Sequence, residues 1–584
     1  MAEARSTAWL EEPARRPAGD GAAVEPRRPA PRGEPAGPRR PGIPIRDARR
    51  PGRLLEGWLP SVGPRPPWWL VVPAALVALA MVLPVAYLFI RTAGAWDRVA
   101  ELLLRPSTWA IAARSLGLVA AVTATGIGLA VPLAWLVVRT DLPGRRFWSV
   151  ATVLPLAIPS YVGSFLYVVA AGPHGLLQRL LAPLGVQRLP DLHGFWGAYL
   201  VMTLFTYPYI LLPVRAALAR LDPALEEASL SLGRGRAATF WTVILPQLRP
   251  AILSGARLVA LYTLAEFGAV ATLRYETFTW AIYVQYQAAF DRATAGGLAL
   301  VLVAAALGIL GLDALLRERW RYHRDTPGTP RPPAPVPLGP WRGPALVFCG
   351  AVVLLALGIP LGVLAYWAVR GALEGSWWEL LGPATLNSLG VAALAAAGTV
   401  AAALPVAILG ARYPGFWSGV VERASYVGFA IPGIVIALAM VFFGVRFLGP
   451  LYQTVALLVA AYGIVFLPTA LGPLRASWLQ VDPKLEEVAR TLGRRPWQVL
   501  REVTLPLVRP GLLAGAGMVF LVTLKELPLT LILSPAGFST LATSVWNSIS
   551  EAFFGQAAVK SLLLVAASAA SVMLILRREG EWEA

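Results

Sequence analysis

The chain has 584 residues, 57% of them hydrophobic and only 14% charged, against roughly 25% charged in soluble domains. That balance excludes a large water-soluble globule and describes an integral membrane protein. The net charge of +18, which would suggest a nucleic-acid partner in a soluble protein, reads here as Arg-rich loops held on the cytoplasmic side, so no nucleic acid is expected.

Residues 1–66 are rich in Pro, Arg and Ala and have no periodic apolar positions. They are expected to be a disordered cytoplasmic tail lying near anionic lipid, not a secretory signal, because no apolar core follows the charges. Apolar runs then follow at about 68–90, 115–138, 149–171, 195–218, 251–273 and 296–316, each near the ~20 residues a bilayer requires. A Pro-rich basic linker covers 317–343, and a second set runs at about 344–369, 386–411, 419–445, 453–476, 511–533 and 557–576. The expected fold is therefore all-α and membrane-embedded, with about twelve transmembrane helices in two tandem six-helix modules, 67–316 and 344–584. When the spans alternate, the tail, the loop carrying Arg139, Arg145 and Arg146, the linker, and Arg577 and Arg578 fall on one side. The positive-inside rule makes that side the cytoplasm and places both termini there.

One cysteine, Cys349, excludes an intrachain disulfide framework, and three scattered histidines, His174, His193 and His323, make no metal-ligand set. Of the three lysines, Lys484, Lys525 and Lys560, none follows a Gly-rich turn, so no P-loop is present and this chain is expected to bind no ATP in that way. No catalytic triad or paired-carboxylate constellation stands in the polar regions, so enzyme chemistry is not expected.

Between apolar runs lies a polar, basic island, Asp222-Pro-Ala-Leu-Glu-Glu-Ala-Ser-Leu-Ser-Leu-Gly-Arg, running on to Pro250; it recurs from Asp482 to Pro510 at a constant offset of 260. About 20 of roughly 45 positions from Asp222 to Glu266 are identical to their counterparts, a regularity that means duplicated architecture. Asp222 suits an N-cap and Pro223 the first helical position. Glu226 and Glu227 complement the positive end of the helix dipole, and Gly233 fits a left-handed cap. A second short helix, Ala237 to Val243, is expected to end at Pro246 and Pro250. The product is a compact helix–Gly–helix knuckle with exposed Arg234 and Arg236, matched by Glu486, Glu487, Gly493 and Arg494 in the second copy.

The repeat extends upstream. Ser115-Leu-Gly matches Ser388-Leu-Gly, and Ile158-Pro159 matches Ile431-Pro432, at an offset of 273. The first half therefore carries 13 extra residues within the external segment from Gly172 to Gly194. Parallel duplication of whole modules predicts a pore on a pseudo-twofold axis between them. Prolines inside the spans (Pro132, Pro155, Pro159, Pro208, Pro432) either break helices around a cavity or reflect the general proline content of membrane helices. Charges inside spans are few: Glu266, expected towards the external end of its helix, and its counterpart Glu526 beside Lys525 are candidates to line the pathway.

Glu226-Glu227-Ala228 with Gly233, and Glu486-Glu487-Val488 with Gly493, resemble the Glu-Glu-Ala coupling loop of binding-protein-dependent ABC permeases. The resemblance implies that each knuckle docks into a cleft on an ATP-hydrolysing partner. It implies two such ABC subunits on the cytoplasmic side, an extracellular or periplasmic substrate-binding protein, and location in a bacterial inner membrane. It also implies that ATP and Mg are used by the partners and that this chain binds no cofactor. Leu264-Ala-Glu-Phe-Gly-Ala-Val with Thr277-Phe-Thr-Trp-Ala-Ile-Tyr, and Lys525-Glu-Leu-Pro-Leu-Thr with Gly537-Phe-Ser-Thr-Leu-Ala-Thr, resemble the ferric-iron branch of fused permeases. Permeases for thiamine, phosphonate or another small anion share the plan. A rival class, an ion-gradient-driven transporter, would need polar groups near mid-membrane and leaves the paired knuckles unexplained.

Overall fold

The computed structural model describes residues 66–580, except residues 95, 174, 187, 288–290, 319–334, 377 and 379–381. Residues 1–65 of the expected tail, His174, His323 and most of the linker lie outside the described residues. Among the described residues every element is helical, and the one extended pairing is an isolated parallel bridge between Thr140 and Val336.

The first module runs through α1 (Trp68–Ala93), α2 (Pro106–Arg139), α3 (Ser160–Ala171), α4 (Phe195–Thr206), α5 (Pro208–Ala219), the knuckle helix α6 (Pro223–Ser231), α7 (Leu245–Ala265), the short α8 (Gly268–Thr272), α9 (Phe278–Gln287) and α10 (Arg292–Glu318). The second repeats the plan with α11 (Arg342–Val353), α12 (Ile359–Leu373), α13 (Pro383–Arg412), α14 (Gly433–Phe447), α15 (Val455–Gln480), α16 (Pro483–Thr491), α17 (Leu505–Leu524), α18 (Pro528–Leu533), α19 (Leu541–Ser550) and α20 (Phe554–Gly580). Eight helices among the described residues are long and apolar enough to cross a bilayer, or nine if the pair bent by 96° at Ile158-Pro159 is one span. The other three expected spans fall on α7, on α14 with the helices before it, and on α20.

Four expected spans are interrupted. The runs 149–171 and 419–445 break at Pro159 and Pro432, where the preceding Ile158 and Ile431 are extended (ψ 117° and 128°), because a proline ring bars the residue before it from the helical region. The runs 251–273 and 511–533 stop at Ala265 and Leu524, and short α8 and α18 follow after a break. Prolines in the knuckle behave in the opposite way to the expectation. Pro246 and Pro250 do not end a helix: Arg236–Thr239 passes through a π-turn at Phe240–Ile244 straight into α7. The second half has the same π-turn at Leu500–Thr504, before Pro506. A widened turn absorbs the proline's missing N–H and its ring, so the helix continues.

Each module packs around a three-helix core: α2, α5 and α7 in the first, α13, α15 and α17 in the second. Small residues set the closeness of these crossings. A Cβ on Gly255 of α7 would lie 2.5 Å from Ile210 Cα and 2.9 Å from Tyr209 O, whereas one on the equivalent Gly515 would meet Ala470 O at 3.2 Å. Gly255→Ala should therefore cost about 1–3 kcal/mol by overpacking against backbone, and Gly515→Ala distinctly less. Thermal unfolding of the two variants in detergent checks the order; equal midpoints would contradict the packing asymmetry.

The modules exchange their first helices. α1 lies on α13 and α14, with Tyr87 edge-on to Phe447 at 5.1 Å and Arg91 over Phe442 at 5.0 Å. α12 lies on α3, and Tyr167 donates to Leu355 O. The linker's end is stitched to the turn after α2: Val336 N donates to Arg139 O (2.7 Å), Leu338 N donates to Asp141 Oδ1 (2.8 Å), and Arg342 pairs with Asp141 Oδ2. These bonds hold the Asp141 carboxyl below its ordinary range.

Candidate functional site

The first arm and the glycine cap of both knuckles form as their sequence dictates. Asp222 and Asp482 accept from the N–H groups of Ala224 and Lys484, each at 3.0 Å, and cap α6 and α16. Gly233 and Gly493 sit at φ +81° and +83°. Arg234 N donates to Ser229 O (3.2 Å) and Gly233 N to Leu230 O (3.0 Å), and the same pair of bonds closes the second copy at Ala489 and Arg490. This left-handed cap turns the chain sharply into the second arm. The arms are then pinned together, by a Ser229–Thr239 hydroxyl bond of 2.9 Å in the first knuckle and by the buried Ala489 and Val499 in the second. Arg234 reaches back to Thr242 (3.2 Å), and Arg494 to Glu502 (3.3 Å).

The two glutamates of each knuckle do different things. Glu226 turns inward and pairs with Arg139, the last residue of α2, which is only 2% exposed. Glu486 likewise pairs with Arg412, the last residue of α13, at 2.9 Å, and also accepts from Thr504 in the π-turn (3.2 Å). Glu227 and Glu487 face outward. Each knuckle exposes two matched leucines, Leu225 and Leu232 in the first and Leu485 and Leu492 in the second, and a tryptophan at a position the other copy does not share, Trp241 and Trp497. Exposed apolar side chains beside an outward carboxylate have the composition of a surface suited to another protein. Arg139 had been legible only as one of several basic loop residues; its match with Arg412 at the 273 offset was the available signal.

The second region is the seam between modules. Glu266 caps the end of α7 rather than lying inside a span, and is 9% exposed. Its Oε1 accepts from Ala269 N (3.0 Å), while Thr279 donates to its carbonyl (2.5 Å). Glu526 repeats this after α17, accepting from Leu529 N (3.3 Å) with Thr530 donating to its carbonyl (2.9 Å). Each carboxylate therefore starts a short helix after a break. Both line one cavity of about 190 Å³ together with Ser160, Tyr161, Tyr209, Tyr262 and Lys525. The modules meet there closely: a Cβ on Gly268 would stand 3.1 Å from Leu527 Cδ2, and Phe267 packs against Trp546 at 5.5 Å. Ser115 and Ser388 accept from the N–H groups of Phe278 and Leu541, contacts 263 residues apart on the helical side. The second module thus has three more residues than the first between its glutamate and the following helix. Among the described residues no three His, Cys, Asp or Glu side chains converge as a metal site.

The duplication is matched by a family of known proteins. The model of the binding-protein-dependent transport system inner membrane component matches residues 125–321 and again 403–578. The Fe(3+)-transport system permease protein FbpB 2 of Haemophilus influenzae is 37% identical over 517 residues, 88% of this chain and 98% of that protein. The sulfate transport system permease protein CysT of Escherichia coli is 28% identical over 278 residues, 46% of this chain and 95% of its own. The molybdenum transport system permease protein ModB of Escherichia coli is 31% identical over 209 residues, 33% of this chain and 86% of its own. The chain belongs to the family of inner membrane components of binding-protein-dependent transport systems, as a permease subunit of an ABC importer that carries the family module twice.

Proposed function

We propose that this permease moves ferric iron across the inner membrane, receiving it from an external binding protein and driven by two ATP-hydrolysing subunits docked on the knuckles at Glu227 and Glu487. The observation that carries the reading is the extent of similarity to the Haemophilus influenzae ferric permease, which spans both modules and nearly the whole of that protein. The sulfate and molybdate permeases match a half or less of this chain. ATP and Mg belong to the partners, and this chain holds no cofactor of its own. The module bounds are 67–316 and 344–584, joined by 317–343, with both termini cytoplasmic.

The test is uptake into proteoliposomes holding the permease, its ATPase partners and its binding protein. Radiolabelled ferric iron should enter only with ATP inside the partner compartment, and neither sulfate nor molybdate should compete. Accumulation driven by a proton or sodium gradient without ATP, or by an oxyanion in place of iron, would overturn the reading.

The cavity between the modules is the translocation constriction in this proposal, lined by Glu266 and Glu526. Glutamine keeps the cap acceptor for Ala269 or Leu529 and removes the charge. Glu266→Gln and Glu526→Gln should therefore leave protein levels unchanged and lower iron uptake about tenfold or more. Uptake at the parental rate in both variants would remove the glutamates from the pathway.

A further inference from the structure

The Tyr161 hydroxyl is buried, in a side chain only 4% exposed, and finds no hydrogen-bond partner among the described residues. Such a group is costly to leave unmade. It opens onto the seam cavity and lies within electrostatic range of both Glu266 and Glu526. The fold does not need it. The second module builds the same proline break without it, placing Gly433 and Ile434 where the first has Ser160 and Tyr161, and Val522 where the first has Tyr262. Phenols are thus supplied by the first module alone, in the cavity where carboxylates from the two modules face a shared space, and among them the Tyr161 hydroxyl is the one left without a partner among the described residues. Each carboxylate spends one oxygen on its own short helix and retains acceptor capacity towards the cavity.

We propose that Tyr161, Glu266 and Glu526 form a transient binding station for the ferric ion at the seam, a three-oxygen site assembled only when both modules are in place. This rests on ferric iron being the cargo. Carboxylate and phenolate oxygens are hard donors and suit a hard trivalent cation. The ion arrives as a hydrolysed aqua ion. An iron–phenolate bond forms as the Tyr161 O–H bond breaks, and the proton passes to a hydroxide carried by the ion, which leaves as water; iron stays ferric throughout. Ser160 and Tyr262, within hydrogen-bonding reach of Glu266, orient its carboxylate. Lys525 beside Glu526 offsets one negative charge, which keeps the ion loosely enough held to move on.

The experiment titrates ferric nitrilotriacetate into the complete complex in nanodiscs and follows phenolate-to-iron charge-transfer absorbance, with uptake into proteoliposomes measured in parallel. The parental complex should develop the band. Tyr161→Phe, which keeps the ring and its packing, should lose it and bind the ion about tenfold more weakly. Glu526→Gln should keep the band with reduced affinity. No band in the parental complex, or an unchanged band in Tyr161→Phe, overturns the station even where iron uptake is normal. Absence of ATP-driven iron uptake by the parental complex instead overturns the cargo assignment, and the station with it.

Discussion

Gly233→Val and Gly493→Val are expected to leave the membrane helices inserted while abolishing most ATP-coupled uptake. A Cβ at either position would meet nothing within 4 Å, so the whole penalty is backbone: φ is +81° and +83°. A β-branched residue held there costs on the order of 1–3 kcal/mol. The chain relieves it by abandoning the left-handed cap, which frees the bonds from Arg234 to Ser229 and from Arg494 to Ala489 and lets the arms splay. Asparagine tolerates the left-handed region, so Gly233→Asn and Gly493→Asn should stay near the parental level. Co-purification of the ATPase partner and uptake per ATP hydrolysed are the readouts. Parental coupling in the double valine variant would remove the knuckles from the mechanism.

Arg139→Met should have the next largest effect. The guanidinium is nearly fully buried, stacks on Trp135 at 5.5 Å and answers the Glu226 carboxylate. Removing one member of a buried pair typically costs about 3–5 kcal/mol because the other charge is stranded. The first knuckle should then detach from the end of α2, seen as faster proteolysis between residues 222 and 236 and as ATP hydrolysis no longer stimulated by loaded binding protein. Arg412→Met should be milder, since Arg412 is partly exposed and Glu486 keeps Thr504 and Arg490. Adding Glu226→Gln to Arg139→Met should recover part of the loss, because no unpaired charge remains. Equal effects from Arg139→Met and Arg412→Met, or no rescue by Glu226→Gln, would contradict the asymmetry.

These two sites belong to one mechanical element in each half. The second arm of the knuckle is the beginning of the membrane helix itself. From Arg236 to Ala265 the helix is uninterrupted except for the π-turn, about 45 Å at 1.5 Å per residue. Its far end is the Glu266 cap on the seam cavity. A tilt imposed at the knuckle is therefore delivered as a displacement beside Tyr161 and Glu526, through a rigid rod braced at its base by Arg139. The exchanged helices α1 and α12 tie each rod's module to the other.

The repeat at offsets of 260 and 273, the capped knuckle helices, the all-α membrane class and the family were all legible in the sequence, because each rests on local chemistry. Asp222 caps its own helix, Gly233 takes its own positive φ, and an apolar run declares itself by length. Tertiary structure decided what local rules leave open. Pro246 and Pro250 read as helix ends, yet a π-turn carries the helix through them. Glu266 reads as a residue within a span, yet it closes one helix and opens another, because a backbone break there is stabilised by Thr279 and by the opposite module. Arg139 reads as a loop charge and is a buried brace, since its partner Glu226 lies 87 residues away. Tyr161 carries no local signal within its apolar run. Only the meeting of two modules, which no single stretch of sequence encodes, puts its hydroxyl, without a partner among the described residues, on a cavity shared with two carboxylates.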